Sequence, residues 1–153
     1  TDLVHHAPCP FTIGRALRLR EGGDVTIVTC GAHPTLMALE AHAALRAGGI
    51  EARVLDMHTL KPIDEDALVA AAAETGGIVT VEEHGPAGGL GGAVAEVVSE
   101  RMPCRVLRVA LPEPWPDRVG DQRELLERSG VTPARIASAA ASLVRRRLSP
   151  TAR

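Results

Sequence analysis

Residues 78–94 read Ile78-Val-Thr-Val-Glu-Glu-His-Gly-Pro-Ala-Gly-Gly-Leu-Gly-Gly-Ala-Val94. The β-branched run Ile78 to Val81 predicts a buried strand. Two carboxylates and a histidine, Glu82, Glu83 and His84, stand where that strand ends. A glycine-rich turn (Gly85, Gly88, Gly89, Gly91, Gly92) then opens onto an apolar-periodic stretch that starts a helix. Strand, polar tip, glycine loop and helix start are half of a βαβ unit. In open α/β sheets functional groups collect at the carboxyl ends of strands. The stretch therefore speaks clearly about architecture. It says less about chemistry, because the loop completes no phosphate-binding pattern.

The same rhythm extends in both directions. Upstream, Ala52 to Met57 predicts a strand, His58 to Pro62 a loop and Asp64 to Thr75 a helix. Asp64 is placed to cap that helix, with Glu65 and Asp66 favourable in its first turn. Further upstream, Asp24 to Cys30 is a nearly continuous apolar run, expected to be buried on both faces. It ends at Gly31-Ala-His-Pro34, with a helix over Thr35 to Ala47 and a stop at Gly48-Gly49. Ala16 to Arg20 alternates apolar and polar, which predicts an edge strand with one wet face. The turn Glu21-Gly-Gly-Asp24 lets it run antiparallel to its neighbours. Downstream come a helix over Gly92 to Arg101, a strand over Cys104 to Ala110 and a proline-rich loop over Leu111 to Pro116. Helices over Glu124 to Arg128 and Pro133 to Leu148 close the chain.

The expectation is an α/β fold: a five-stranded, mostly parallel sheet with one antiparallel strand, covered by helices on both faces. Residues 1–10 read as a linker or lead-in, 11–148 as one domain and 149–153 as a tail.

The 153 residues are 45% hydrophobic and 24% charged, with a net charge of -2. That balance gives no electrostatic reason to expect nucleic acid or an anionic membrane. Aromatic residues make up 1%, Phe11 and Trp115 only. Base-stacking platforms are therefore not available, and the core must be aliphatic. Any apolar surface left for a partner is expected to be aliphatic as well. The three cysteines, Cys9, Cys30 and Cys104, are odd in number and widely spaced, so neither a disulfide framework nor a zinc site is expected. Reduced thiols and a cytoplasmic location are the default. No apolar run approaches the ~20 residues of a membrane span. The chain does not begin with Met, which allows a trimmed chain or one piece of something larger.

Polar groups cluster at three strand ends: Gly31 to Pro34 with His33, Asp56 to Lys61 with His58, and Glu82 to His84. A parallel sheet puts all three on one edge. That edge reads either as an active-site lip or as a contact surface between domains, and both readings stay open here. Adjacent strand residues point to opposite faces, so Glu82 and Glu83 do not form one carboxylate pair. His84 reads as a polar contact across an interface before it reads as a general base. No HxxxH or similar spacing supports a metal. Gly88, Gly89, Gly91 and Gly92 precede a helix, and such a start can hold an anion. Close packing of loop on helix explains them equally well. The chain lacks GxGxxG in its first βα turn and lacks GxxxxGK[ST], which disfavours a dinucleotide or ATP site.

Several of these motifs together carry a resemblance. Phe11-Thr-Ile-Gly-Arg-Ala16, Leu19-Arg-Glu-Gly-Gly-Asp-Val25 and Thr29-Cys-Gly31 resemble the opening of the C-terminal domain of transketolase-like enzymes. Val54-Leu-Asp-Met-His-Thr-Leu-Lys-Pro-Ile-Asp64 does so too, as do Val81-Glu-Glu-His84 with Gly88-Gly-Leu-Gly91, and Leu125-Leu126 with Ser129-Gly-Val131. The likeness runs from about Pro10 to Leu143 and is nearest to split, two-subunit transketolases. Glu113-Pro-Trp115 departs from the family's acidic-aromatic landmark.

The resemblance implies a five-stranded mixed sheet with one antiparallel strand. It implies an enzyme using thiamine diphosphate and Mg²⁺ to transfer a two-carbon ketol unit between sugar phosphates. Those groups would sit on separate diphosphate- and pyrimidine-binding domains or subunits. A GDG…N pattern occurs nowhere in this sequence, and no pyrimidine-binding segment fits before Phe11. The expectation is a supporting lobe that assembles into a homo- or hetero-oligomer, such as a dimer. Alone it would bind no cofactor or metal and contribute no catalytic residue. Glu82, Glu83, His84, His33, His58 and the glycines at 88, 89, 91 and 92 would face a partner domain or contact an anion. Two alternatives remain: a 2-oxoacid dehydrogenase β subunit or deoxyxylulose-phosphate synthase, and a non-enzymatic module that binds a regulatory anion.

Overall fold

The computed structural model describes residues 4, 9–113 and 119–148. Most of the lead-in, the 149–153 tail, and Pro114 and Trp115 of the landmark lie outside the described residues. The elements in chain order are β1 (Leu17–Arg20), β2 (Val25–Cys30), α1 (Ala32–Ala47), β3 (Ala52–Asp56), α2 (Glu65–Glu74), β4 (Ile78–Glu82), α3 (Leu90–Arg101), β5 (Val106–Val109), α4 (Gln122–Arg128) and α5 (Pro133–Leu148).

The sheet order is β1-β3-β2-β4-β5. Strands β2, β3, β4 and β5 are parallel to one another, and β1 pairs antiparallel with β3, Leu17 opposite Asp56. The central strand β2 is buried over Val25 to Thr29, as its unbroken apolar run predicts. Its two threonines satisfy their hydroxyls inside: Thr26 Oγ1 lies 3.1 Å from Thr75 Oγ1, and Thr29 Oγ1 lies 2.8 Å from Thr35 Oγ1. Strand β1 alternates half-buried leucines with exposed arginines, the pattern of a wet edge.

Strand parity divides the core in two. Val25, Ile27, Val54, Val79 and Val81 pack beneath α1 and α5. Val28, Leu55, Met57 and Ile78 pack beneath α2 and α3. The result is three layers, α/β/α.

Several boundaries differ from the sequence expectation, and three of them bear on the site. Helix α1 begins at Ala32, so Pro34 sits in its first turn, where a missing N–H costs nothing. Strand β4 runs on through Glu82, and α3 begins at Leu90. The last two share one cause, the seating of Glu82 described below. A fourth difference concerns the surface. Phe11 and Ile13 are 64% and 69% exposed, so an aromatic ring, not aliphatic groups alone, lies open there.

Candidate functional site

Because β2, β3 and β4 are parallel, their carboxyl ends share one edge. Cys30, Asp56 and Glu82 terminate these strands, and β1 starts at the same edge beside Asp56. The three predicted polar loops therefore do come to one side of the domain.

Glu82 is the residue around which this edge is organised. It follows Ile78 and Thr80 in strand parity, which turns it under α3 and leaves it 2% exposed. Its Oε2 accepts from Leu90 N at 2.6 Å and its Oε1 from Gly91 N at 2.8 Å. The carboxylate thus occupies the N-terminus of α3, where free N–H groups and the helix dipole favour a negative charge.

The glycines around it differ in role. A Cβ on Gly89 would overlap Glu82 Oε2 and lie 2.9 Å from His84 Nδ1. A Cβ on Gly91 would lie 2.6 Å from Arg108 Cδ and 2.9 Å from Thr80 Oγ1. These two are required by close approach. Gly88 has φ +76 with open space beside it, and Gly92 also faces open space. Arg108 crosses from β5 and donates to Pro86 O at 2.7 Å, which ties down the outer part of the loop.

Glu83, the next residue, points the other way and is exposed. It accepts from Gln122 Nε2 at 2.6 Å, linking β4 to α4. His84 is exposed, with Nδ1 2.9 Å from Gly85 O. Its backbone carbonyl accepts from Leu111 N at 2.9 Å. Cys30 lies among these acids. Burial first, then Asp56, Glu82 and Glu83, push its thiol pKa above the ordinary value.

The other two histidines sit further along the edge. His33 is in the first turn of α1, and its buried Nδ1 has no hydrogen-bond partner. His58 follows β3, with Nδ1 2.8 Å from Thr59 Oγ1 and its buried Nε2 unsatisfied. The Phe11 ring lies on His58 at a centroid distance of 4.3 Å. Nearby, Asp64 is 7% exposed and caps α2 through Ala67 N at 3.1 Å, as predicted. It also accepts from Ala16 N at 2.8 Å and pairs with Arg15 at 3.4 Å. The motifs at 11–16 and 58–64 are therefore neighbours in space.

Sequence reasoning missed the Glu82 cap, the Arg108 crossing and the Phe11–His58 stack. Period-2 parity from Ile78 was the available signal for Glu82. The other two join residues far apart in sequence and left no local trace.

These groups do not fit a thiamine diphosphate cradle. The glycine-rich helix start is engaged by the chain's own carboxylate, and a phosphate placed there would meet that negative charge at contact distance. Among the described residues no three His, Cys, Asp or Glu side chains converge as metal ligands, and no helix is long and apolar enough to cross a membrane.

Comparison with known proteins agrees with the fold. The family described as transketolase, C-terminal domain, matches residues 14–136. A 6-deoxy-6-sulfo-D-fructose transketolase subunit of Clostridium sp. (strain MSTE9) is 42% identical over 140 residues, covering 90% of this chain and 42% of that protein. A 1-deoxy-D-xylulose-5-phosphate synthase of Heliobacterium modesticaldum is 42% identical over 132 residues, 86% of this chain and 20% of that one. A solved split-gene transketolase, an inactive β4 tetramer, superposes with a TM-score of 0.86 at 42% identity, covering 94% of this chain and 46% of that one. The chain thus spans less than half the length of these relatives. On its sequence motifs, its sheet topology and these matches, the chain belongs to the transketolase C-terminal domain family.

Proposed function

We propose that this chain is the C-terminal lobe, or a separate C-terminal subunit, of a thiamine-diphosphate-dependent transketolase-type enzyme. The assembled enzyme transfers a two-carbon ketol unit between sugar phosphates. The cofactor supplies carbanion stabilisation from domains or subunits other than this one. This chain supplies assembly, and its carboxyl edge faces the partner through Glu83, His84, His33, His58 and the 85–89 loop.

The observation that carries this reading is the Glu82 carboxylate seated on α3. A loop that could have held an anion is closed from within and made rigid, which suits a docking surface better than a ligand cleft. Glu82 and the tight glycines at 89 and 91 shape that surface from beneath. The split-gene relative, of which this chain matches less than half, supports the reading as the C-terminal lobe of one subunit of a two-subunit enzyme.

The test mixes the purified chain with partner chains that together carry the GDG…N and pyrimidine-binding domains, and follows ketol transfer. Activity is expected only when both are present. Activity indifferent to this chain, or turnover by this chain alone, would count against the proposal.

A second reading keeps the family and changes the reaction to 1-deoxy-D-xylulose-5-phosphate synthesis, as the Heliobacterium relative suggests. A panel of ketose phosphates and pyruvate, offered to the same assembled mixture, separates the two. For an anion-binding module, thermal shifts against phosphate and sugar phosphates are the discriminating measurement. The occupied helix start leads us to expect a flat response.

A further inference from the structure

We propose that the cleft between the 60–63 loop and α3 binds a free diamino acid, with the ligand's carboxylate on Lys61 and its two ammonium groups on Glu96 and Glu100. None of the residues proposed above to face a partner lines this cleft. The site therefore stands independently of the assembly role.

The cleft encloses about 370 Å³. Small-molecule pockets span about 300–1,000 Å³, so it has room for a compact metabolite. Ile63, Ala93 and Val97, all half-buried, give it an aliphatic floor. Its walls are held in place before any ligand arrives. Behind the loop, the buried Asp64 carboxylate accepts from Ala16 N at 2.8 Å and Ala67 N at 3.1 Å. Across the cleft, Arg101 of α3 is tied to Glu65 of α2. A preformed recess loses little ordering entropy on binding.

The cleft's free charges are of both signs and do not meet. Lys61, Glu96 and Glu100 are exposed, line the cleft and have no ion-pair partner among the described residues. Glu96 and Glu100 are one turn apart on α3, where like charges repel. Arg101, the next residue along, is turned to Glu65 instead. On α4 the same spacing is used for attraction, with Arg123 on Glu127 and Arg128 on Glu124. The cleft thus leaves two carboxylates and one ammonium open, and a ligand of the opposite pattern would satisfy all three.

That pattern selects the ligand class. A sugar phosphate or a dicarboxylate would be repelled by the two glutamates. A neutral amino acid leaves one glutamate unanswered, and a diamine leaves Lys61 unanswered. An α,ω-diamino acid carries two ammonium groups and one carboxylate, joined by a methylene chain that lies on Ile63, Ala93 and Val97 as the stem of a long side chain lies on apolar surface. Lys61 is also the one lysine in a chain with sixteen arginines. Its compact, flexible ammonium suits a point contact with a carboxylate, where a planar guanidinium would demand a fixed fork.

Titration of the 153-residue chain with L-lysine at constant ionic strength, followed by amide-resolved NMR, tests the proposal. The expected result is saturable shifts at the Ile63, Ala93 and Val97 amides with a Kd of ~1 mM. Cadaverine, which lacks the carboxylate, and L-norleucine, which lacks the second ammonium, bind about threefold or more weakly. Glu96→Gln with Glu100→Gln weakens L-lysine by about threefold or more, and so does Lys61→Met, with the far-UV CD unchanged because all three side chains are exposed. Lys61→Met is further expected to bind L-lysine and cadaverine alike, since the carboxylate has then lost its partner. No saturable shift up to ~20 mM overturns the site. So do shifts that avoid the cleft, and binding indifferent to either variant. Cadaverine or L-norleucine binding to the unmodified chain as tightly as L-lysine overturns the diamino-acid assignment.

Discussion

The α-carbon of Gly89 and the carboxylate of Glu82 approach so closely that a Cβ at residue 89 would overlap Oε2. Strand end, glycine loop and helix start are therefore one unit: the glycine exists because the carboxylate occupies the space where its side chain would be. Gly89→Ala is expected to cost about 2 kcal/mol or more, since either the carboxylate or the loop must shift. Glu82→Ala leaves two buried N–H groups without their acceptor and is expected to cost about 2–4 kcal/mol. Glu82→Gln retains one acceptor oxygen and costs less. Urea unfolding of the three variants gives this order, and Glu82→Ala as stable as wild type would refute the cap.

Asp64 joins two distant segments. It caps α2 and holds Ala16 N, forty-eight positions away in sequence. Asp64→Ala is expected to lower stability by about 1–3 kcal/mol. Hydrogen exchange at the Ala16 and Ala67 amides should accelerate together. Acceleration at Ala67 alone would show that the Ala16 contact contributes nothing.

Arg53 is buried on β3, bonded to Glu74 through Nη2 at 2.6 Å, while its Nε and Nη1 lack partners. A half-satisfied buried cation is poorly used. Glu74→Ala, which strands the charge, is expected to destabilise more than Arg53→Met, which removes it and fills the space. Thermal melts give the order. The reverse ranking would mean that Arg53 has other strong partners.

Burial first, then Asp56, Glu82 and Glu83, hold the Cys30 thiol pKa above its ordinary value. A thiol held protonated by the fold contributes stability that is fully present below its unfolded pKa. That stability is lost as pH rises through the folded value. Relative to Cys30→Ala, wild type should therefore lose stability above about pH 9 and not below it. Alkylation at pH 8 should also be slow at Cys30. Fast alkylation there, or parallel stability curves for the two proteins, would contradict the assignment.

Much of the fold can be read in the chain because its evidence is local. The unbroken Val25–Thr29 run means burial on both faces, and the Leu17–Arg20 alternation means a wet edge. The Asp64 position relative to its helix announces a cap. Each signal lies within a few residues of what it specifies. The opposed faces of Glu82 and Glu83 follow from the same strand period.

What the sequence determined by itself is the order and type of the elements, the antiparallel first strand, and the gathering of His33, His58 and Glu82 to His84 on one edge. What only the tertiary structure decided is how that edge is used: Glu82 turned in to complete α3, Arg108 laid across Gly91, Phe11 stacked on His58. Periodicity records which way a side chain points relative to its own backbone. It carries no information about which distant group waits there, because that depends on the packing of elements brought together only by folding.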